Sequence, residues 1–325
     1  MEMINCIFCG IENDFIAIQE NGYLGRKCSQ CGLIYISPRP SYEEITNLYS
    51  QDDAQIHSET HISSEFAKRL HAKHNLRIIT SYVKDGALLE IGAGAGYFLD
   101  EARKIGFEPY GIEFNPIQAT FIKNKLGIHC EETTLTGPLF NGRNFDVVYH
   151  CDVISHLFDP FNEFRNIYNK TKDGGYLIFE TGNLGEVDKK FLKHYQSFQY
   201  PDHLFFFGKD NLIELLERTG YEFVKLYRYS ILHQLMFRNG LTRIRNLMVG
   251  SYRSDKPQRQ SFKEKNPSAT PDKSPHIESH LKRAMKMGWN YFSYFLIYKF
   301  GYVLPKAHRP QTVIVIARKR SQKND

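Results

Sequence analysis

The chain has 325 residues, of which 42% are hydrophobic and 24% charged. This ordinary globular balance excludes a wholly disordered protein and predicts one catalytic-size domain with appendages. No apolar run reaches the ~18 residues of a membrane-spanning helix. The opening MEMINCIFCG has neither the basic nor the apolar region of a secretory signal, so a cytoplasmic location is expected. The net charge of +6 is unevenly placed: residues 1–230 carry 23 Lys/Arg against 31 Asp/Glu, and residues 231–310 carry 15 against 4, a net +11. A segment this basic attracts phosphate-bearing surfaces, on a membrane or on nucleic acid.

Residues 1–37 read as a small cysteine module, with short strands at Phe15–Gln19 and Leu33–Ile36. The stiff Ser37-Pro38-Arg39-Pro40 leads into a helical linker or lid over 38–83, with helices at 41–50 and about 62–83. From Gly86 the pattern alternates strand and helix. Strands are predicted at Ala87–Ile91, Tyr110–Ile112, Phe145–Tyr149, Tyr176–Phe179 and Tyr221–Tyr229. Helices run to Gly106, from an Asn115-Pro116 cap to Gly127, over about 160–171, and over Asp210–Thr219. Short connections between alternating elements imply a doubly wound parallel sheet. The last strand, Thr312–Ala317, follows a basic segment over 231–310. That segment is helical at both ends (about 231–248 and 279–300), and its Ser/Pro/Lys/Gln-rich middle, about 251–276, is expected to be disordered.

Glu90-Ile91-Gly92-Ala93-Gly94-Ala95-Gly96 closes one strand and opens a helix. Glycines there let the backbone pass close to a ligand at the sheet's C-terminal edge. The third glycine comes one residue earlier than in the dinucleotide fingerprint, which suits a nucleoside without a pyrophosphate. Glu113 ends the next strand, placed to accept hydrogen bonds from two ribose hydroxyls.

EIGAGAG, GIEFNP, FDVVYHCDVISHLFDP and GGYLIFETGN together resemble class I S-adenosylmethionine-dependent methyltransferases, in particular the group of ubiquinone-type O-methyltransferases and bacterial sugar and small-molecule methyltransferases. The resemblance covers about 84–230 plus the final strand. It implies a Rossmann-like α/β sheet of seven strands in which 221–229 and 312–318 form an antiparallel hairpin. The methyltransferase domain is then 84–230 with 311–320, and 231–310 is an insertion. It also implies that Glu90, Gly92, Gly94 and Gly96 line the methionine part of S-adenosylmethionine, that Glu113 holds the ribose, and that Phe114 flanks the adenine. Thr134 and Leu135 would lie at the adenine edge, and His150 and Cys151 would face the cofactor and the substrate mouth. Where the family often has Leu-Glu-His-Val this chain has Ile154-Ser155-His156-Leu157, so the glutamate of a metal-binding Glu–His pair is replaced by Ser155.

Cys6, Cys9, Cys28 and Cys31 form C-x2-C-x18-C-x2-C, a spacing that gives zinc a closed, structural shell of four thiolates. An iron site would use the same ligands. RKCSQCGLIYISPRPSYEEITNLY also resembles the zinc module in front of bacterial small-molecule methyltransferases, which implies a ribbon that packs on the catalytic domain as a stabilising and lid element. For acid–base work the candidates are His203, in Tyr200-Pro201-Asp202-His203-Leu204, and His156, with His203 the expected base.

The expected activity is methyl transfer to a small-molecule, sugar- or lipid-linked acceptor by O- or C-methylation. The alternative is an RNA methyltransferase or nucleic-acid-binding protein using the zinc module and the basic insertion. The module carries only Arg26 and Lys27 against four acids, which argues against nucleic acid. The aromatic stretch Trp289–Leu304, preceded by Lys282, Arg283 and Lys286, suggests peripheral contact with an anionic membrane.

Overall fold

The computed structural model describes residues 1–48, 58–133, 139–248 and 280–320. The expected disordered middle of the insertion, about 251–276, lies outside the described residues. Seven strands form the central sheet: β4 (Gly86–Ile91), β5 (Phe107–Ile112), β6 (His129–Glu131), β7 (Phe145–Cys151), β8 (Thr171–Gly182), β10 (Tyr221–Ser230) and β11 (Gln311–Lys319), in the order β10-β11-β8-β7-β4-β5-β6. Only β11 runs against its neighbours, wedged between β8 and β10, as the expected hairpin required. The central strands are covered on both faces and therefore read as continuous apolar runs: every residue of β4 after Gly86 is buried.

One face carries α2 (Glu65–Ile79), α3 (Tyr97–Lys104) and α4 (Pro116–Phe121), the last continuing through a wider turn over Ile122–Leu126. Asn115 starts α4 as expected. Its side chain accepts from the N–H groups of Ile117 and Gln118, with Pro116 at the first helical position. The other face carries α5 (Pro160–Lys170) and α7 (Lys209–Arg218); α6 (Lys189–Leu192) is a single turn between them.

The cysteine module continues that second face. Its strands β1 (Ile16–Glu20), β2 (Tyr23–Lys27) and β3 (Ile34–Ile36) form a sheet completed by β9 (Phe205–Phe206), drawn from the central α/β part of the chain. Leu33 to Ile36 are fully buried in the same cluster as Phe145, Phe164 and Phe179. The ribbon also grips the loop before β9. Both oxygens of Glu20 accept from the Phe198 N–H and one accepts from Tyr200, and the Ile36 N–H donates to the Leu204 carbonyl. The helix α1 (Tyr42–Leu48) follows the linker.

The insertion between β10 and β11 contributes α8 (Leu232–Met248) and α9 (His280–Tyr294). The latter passes into a wider helical turn, Phe295–Phe300, and a last turn α10 (Gly301–Val303). No helix among the described residues is long and apolar enough to cross a membrane.

Candidate active site

The glycine loop joins β4 to α3 at the C-terminal edge of the sheet. Gly92, Gly94 and Gly96 all have positive φ, at 68°, 55° and 72°, where side chains are strained. The loop is pinned by the Gly92 and Ala93 N–H groups, which share the Ile112 carbonyl. Glu113, at the end of the neighbouring strand, accepts from the Gly94 N–H at 2.6 Å and from the Asn115 N–H at 2.8 Å. Burial raises its carboxyl above the usual range, and these N–H groups offset only part of the rise. Phe114, expected to flank the adenine, follows it and is half exposed. Thr134 and Leu135 lie outside the described residues.

Two buried acceptors at this end of the sheet have no protein donor among the described residues: Glu90 Oε2, at the end of β4 before the loop, and Gln118 Oε1. Burial raises the Glu90 carboxyl well above its usual range, and Lys68 is the cation that opposes the shift. A Cβ added at Gly94 would sit 3.3 Å from Gln118 Oε1 and 3.1 Å from His61 Nδ1. A helical stretch over residues 58–63 thus roofs the loop, tied down by Ser58 Oγ to Asn115 and by Tyr97 Oη to the Ile62 carbonyl. An unmatched acid and amide beside three left-handed glycines fit a ligand that brings its own donors, as the amino group and hydroxyls of S-adenosylmethionine would.

Next along the edge, β7 and β8 end in register, Cys151 opposite Glu180. Glu180 is almost fully buried and accepts four hydrogen bonds: from His71 Nε2 (2.7 Å), Asn75 Nδ2 (2.6 Å), Tyr298 Oη (2.8 Å) and Thr312 Oγ1 (2.9 Å). Burial alone would raise its carboxyl, but the His71 charge and these donors hold it down at about 2. Burial opposes the charged form of His71, yet Glu180 more than compensates and its pKa is raised. Asn75 also donates to Tyr149 Oη, which fixes α2 against the sheet. His71 Nδ1 has no partner among the described residues. Cys151 Sγ lies within 4.8 Å of the His71 and Glu180 ligand atoms. Sequence reading missed His61, Lys68, His71, Asn75, Gln118 and Glu180 as site residues. Only Glu180, inside GGYLIFETGN, carried any local signal.

The two histidines expected from the sequence do meet. His156 Nδ1 is 3.1 Å from the Asp202 carboxylate, and the His156 and His203 rings are edge to face at 4.6 Å. The ribbon arranges this, since it holds 198–204 and the Leu204 N–H donates to the Ser155 carbonyl at 2.7 Å. Ser155, where the family often has glutamate, is buried and serves through its backbone. Asp202 raises His156; burial and the neighbouring His156 lower His203 to about 4. Asp152, with φ 55°, lies between the clusters and feels Glu180, His71, Lys68 and His156. His150 is placed elsewhere. It is fully buried, stacked on Phe179 at 4.7 Å in the hydrophobic layer, and burial lowers it to about 3. The strand alternation that turns Cys151 toward the edge turns His150 into the core.

The four cysteines of the ribbon also converge. Gly10 and Gly32, at φ 70° and 75°, follow them in matching turns, with Gly10 N–H to the Cys6 carbonyl and Gly32 N–H to the Cys28 carbonyl. All four Sγ atoms lie within 4.8 Å of one another. A tetrahedral ion with bonds of ~2.3 Å needs sulfurs about 3.8 Å apart, so the set fits zinc or iron.

The family model described as a methyltransferase domain matches residues 61–226. The ubiquinone biosynthesis O-methyltransferase of Ruegeria pomeroyi is 29% identical over 156 residues, covering 42% of this chain and 63% of that protein. A tRNA U34 carboxymethyltransferase of Helicobacter hepaticus is 28% identical over 109 residues, 29% of this chain and 34% of that protein. The chain thus spans about six-tenths of the length of the first of these relatives. Among solved structures, an S-adenosylmethionine-dependent methyltransferase from Archaeoglobus fulgidus is 20% identical, with a TM-score of 0.44 over 77% of this chain and 94% of that one. With its glycine loop, its strand-end Glu113 and its reversed last strand, the chain belongs to the class I S-adenosylmethionine-dependent methyltransferases.

Proposed function

We propose that the chain transfers a methyl group to an oxygen or carbon of a small-molecule, sugar- or lipid-linked acceptor that enters between the two histidine clusters. The single observation that carries this reading is the cradle at the glycine loop, where Gln118 Oε1 lies beside the Gly94 position and, like Glu90 Oε2 at the end of β4, is buried without a donor among the described residues. Glu90, Gly92, Gly94, Gly96, Glu113 and Phe114 would hold S-adenosylmethionine, which when bound supplies an electrophilic methyl group on a sulfonium. The acceptor must then be aligned with that methyl and relieved of a proton.

His71 is the best-placed base. Glu180 fixes its Nε2–H, which leaves Nδ1 as the proton acceptor on the cleft side. This is the carboxylate–histidine arrangement that sets tautomer and orientation and steadies the imidazolium once formed. His71 Nδ1 would take the acceptor's O–H or C–H proton, while the bound cofactor would supply the methyl group and keep the bonding electrons on its sulfur. A second reading keeps the proton acceptor at His203, with His156 beside it. The Asp202 contact that orders His156 favours this pair.

Zinc on Cys6, Cys9, Cys28 and Cys31 belongs to the same reading as a structural ion. It would stiffen the ribbon that holds the His203 loop. The nucleic-acid alternative has less support, because Phe8 beside Cys9 packs on Phe161 and Phe207 of the methyltransferase part.

Native mass spectrometry of the purified protein tests the reading. One equivalent of S-adenosylmethionine or its demethylated product, with one zinc, is expected. Failure to retain either molecule after incubation with it would overturn the assignment of the cradle.

A further inference from the structure

The insertion has two unlike sides. Inward, Tyr298 is buried against His74 and Tyr229 and donates to Glu180. Outward, the same helices are bare. Thirteen of the twenty-three exposed large apolar side chains among the described residues fall between Met236 and Leu304, including Met285 at 67%, Tyr291 at 59% and Val303 at 74% exposure. Surface apolar residues scattered singly need no explanation, but a concentration of this size does.

Between α8 and the α9 turn lies an open groove of about 490 Å³, lined by Met236, Phe237, Leu241, Phe292, Leu296 and Phe300 among others. Gln234 Nε2 to Ser293 Oγ, at 2.6 Å, sets the spacing of its walls. Trp289 stacks on Phe237 at 5.6 Å at its rim. The groove's lining is almost wholly hydrocarbon, while the segment that carries it has a net charge of +11. Exposed Lys286 and Lys299 stand on the same helical run.

We propose that this surface docks on an anionic lipid bilayer, with the groove taking one hydrocarbon chain of a lipid. Aromatic and aliphatic side chains flanked by basic ones are the combination that settles at a headgroup interface. The basic charge selects an anionic leaflet over a second copy of this equally basic segment, which it would repel. The wide turn Phe295–Phe300 links the two sides. Leu296 and Phe300 line the groove while Tyr298, between them, reaches the active-site carboxylate. An occupied groove therefore lies within one turn of helix of Tyr298, the residue that hydrogen-bonds Glu180. Resting on the methyl-transfer reading, this narrows the acceptor to an amphiphile presented at the membrane.

Trp289 is the chain's single tryptophan, so its fluorescence reports on this surface alone. The full-length protein is mixed with vesicles of phosphatidylcholine, alone or with phosphatidylglycerol, and with the same lipids brominated in the acyl chains. The expected result is co-sedimentation with the anionic vesicles only, weakened by salt, with a blue shift of Trp289 and its quenching by brominated chains. Met236→Asp and Phe295→Asp should abolish the quenching while leaving S-adenosylhomocysteine affinity unchanged. Lys286→Glu and Lys299→Glu, which leave the apolar groove intact, should each weaken vesicle binding about fivefold. Wild-type protein left in the supernatant at low salt would overturn the proposal. So would vesicle binding without chain quenching, or a lipid-free dimer that shields Trp289 and assigns the face to a second copy. Vesicle binding is read without methyl transfer, so its failure leaves the catalytic reading standing.

Discussion

If His71 takes the proton, the rate must fall as acid protonates it, and Glu180 must decide where that fall lies. The carboxylate raises the imidazole's affinity for protons, whereas burial alone would lower it. A base works only unprotonated, so activity is present above the His71 pKa and lost as pH falls through it. Because burial alone would lower that pKa but Glu180 raises it above the ordinary histidine value, the loss begins at higher pH than for an unperturbed histidine. Glu180→Gln is nearly isosteric but removes the charge. Burial then prevails, the acid limb moves to lower pH, and the plateau rate falls because a weaker base remains. Removing one hydrogen-bonding charge from this network costs about 1–3 kcal/mol of stability, enough to measure and too little to unfold a typical domain. His71→Ala should reduce kcat by ~10²- to 10⁴-fold, the usual contribution of a general base, without changing cofactor affinity. The assay is kcat against pH for wild type, His71→Ala, Glu180→Gln and His203→Ala, paired with an NMR titration of the His71 ring, which needs no acceptor. An undiminished kcat in His71→Ala would refute the reasoning. A rate flat from pH 5 upward and lost in His203→Ala would move the base to His203, which is held at about 4 and so stays neutral over that range.

Three further outcomes follow from the cradle and the ribbon. Glu113→Ala removes the acceptor of the Gly94 and Asn115 N–H groups and the expected ribose anchor; calorimetry should show S-adenosylhomocysteine affinity reduced by about ten- to a hundred-fold, or ~1.5–3 kcal/mol. Gly94→Ala puts a Cβ at φ 55°, 3.1 Å from His61 Nδ1; strain of about 1–2 kcal/mol and a blocked cradle should lower affinity at least tenfold, and unchanged binding would remove the roof over the loop from the argument. Cys28→Ser should lose the ribbon's metal by elemental analysis and lower Tm, and because the ribbon holds 198–204 it should also broaden the His203 resonance.

The glycine loop was legible because its signal is local: three glycines at a strand end, with an acid one strand later. The sheet was legible for the same reason, through apolar runs broken by Gly106, Gly127 and Gly220. What escaped were elements defined only by their partners. β6 has three residues and β9 two, and β9 exists because Ile34 and Tyr35 of the ribbon, far back along the chain, offer an edge to Phe206 and Phe205. Likewise α2 read as an amphipathic helix, but nothing marks His71 and Asn75 as site residues until Glu180 is seen opposite, more than a hundred positions along the chain. His150 shows the converse case. Its neighbours in the motif lie at the edge, and strand alternation turned it inward.

The position of the insertion follows from the one reversed strand. β11 lies between β8 and β10 and runs against both, so the chain leaving β10 must return to the same edge before it can enter β11. Ser230 and Gln311 are directly paired there, and Thr312 lies opposite Gly182, two residues beyond Glu180. This is the edge where the parallel strands end and the glycine loop sits. Whatever sequence fills the gap between β10 and β11 must therefore emerge at the C-terminal edge of the sheet, next to Glu180. Here the filling is an aromatic, basic helical pair that sends Tyr298 onto Glu180, beside the Thr312 donor from β11 itself. Exchanging Tyr298 for Phe tests that linkage with the smallest change. It removes one of four donors to Glu180 and keeps the ring packing on His74. The carboxylate, with one fewer hydrogen bond to share, should hold the His71 proton more tightly, so the acid limb should shift to higher pH, opposite to Glu180→Gln. A shift in the same direction as Glu180→Gln would show that Tyr298 acts by packing and that the insertion does not tune the base.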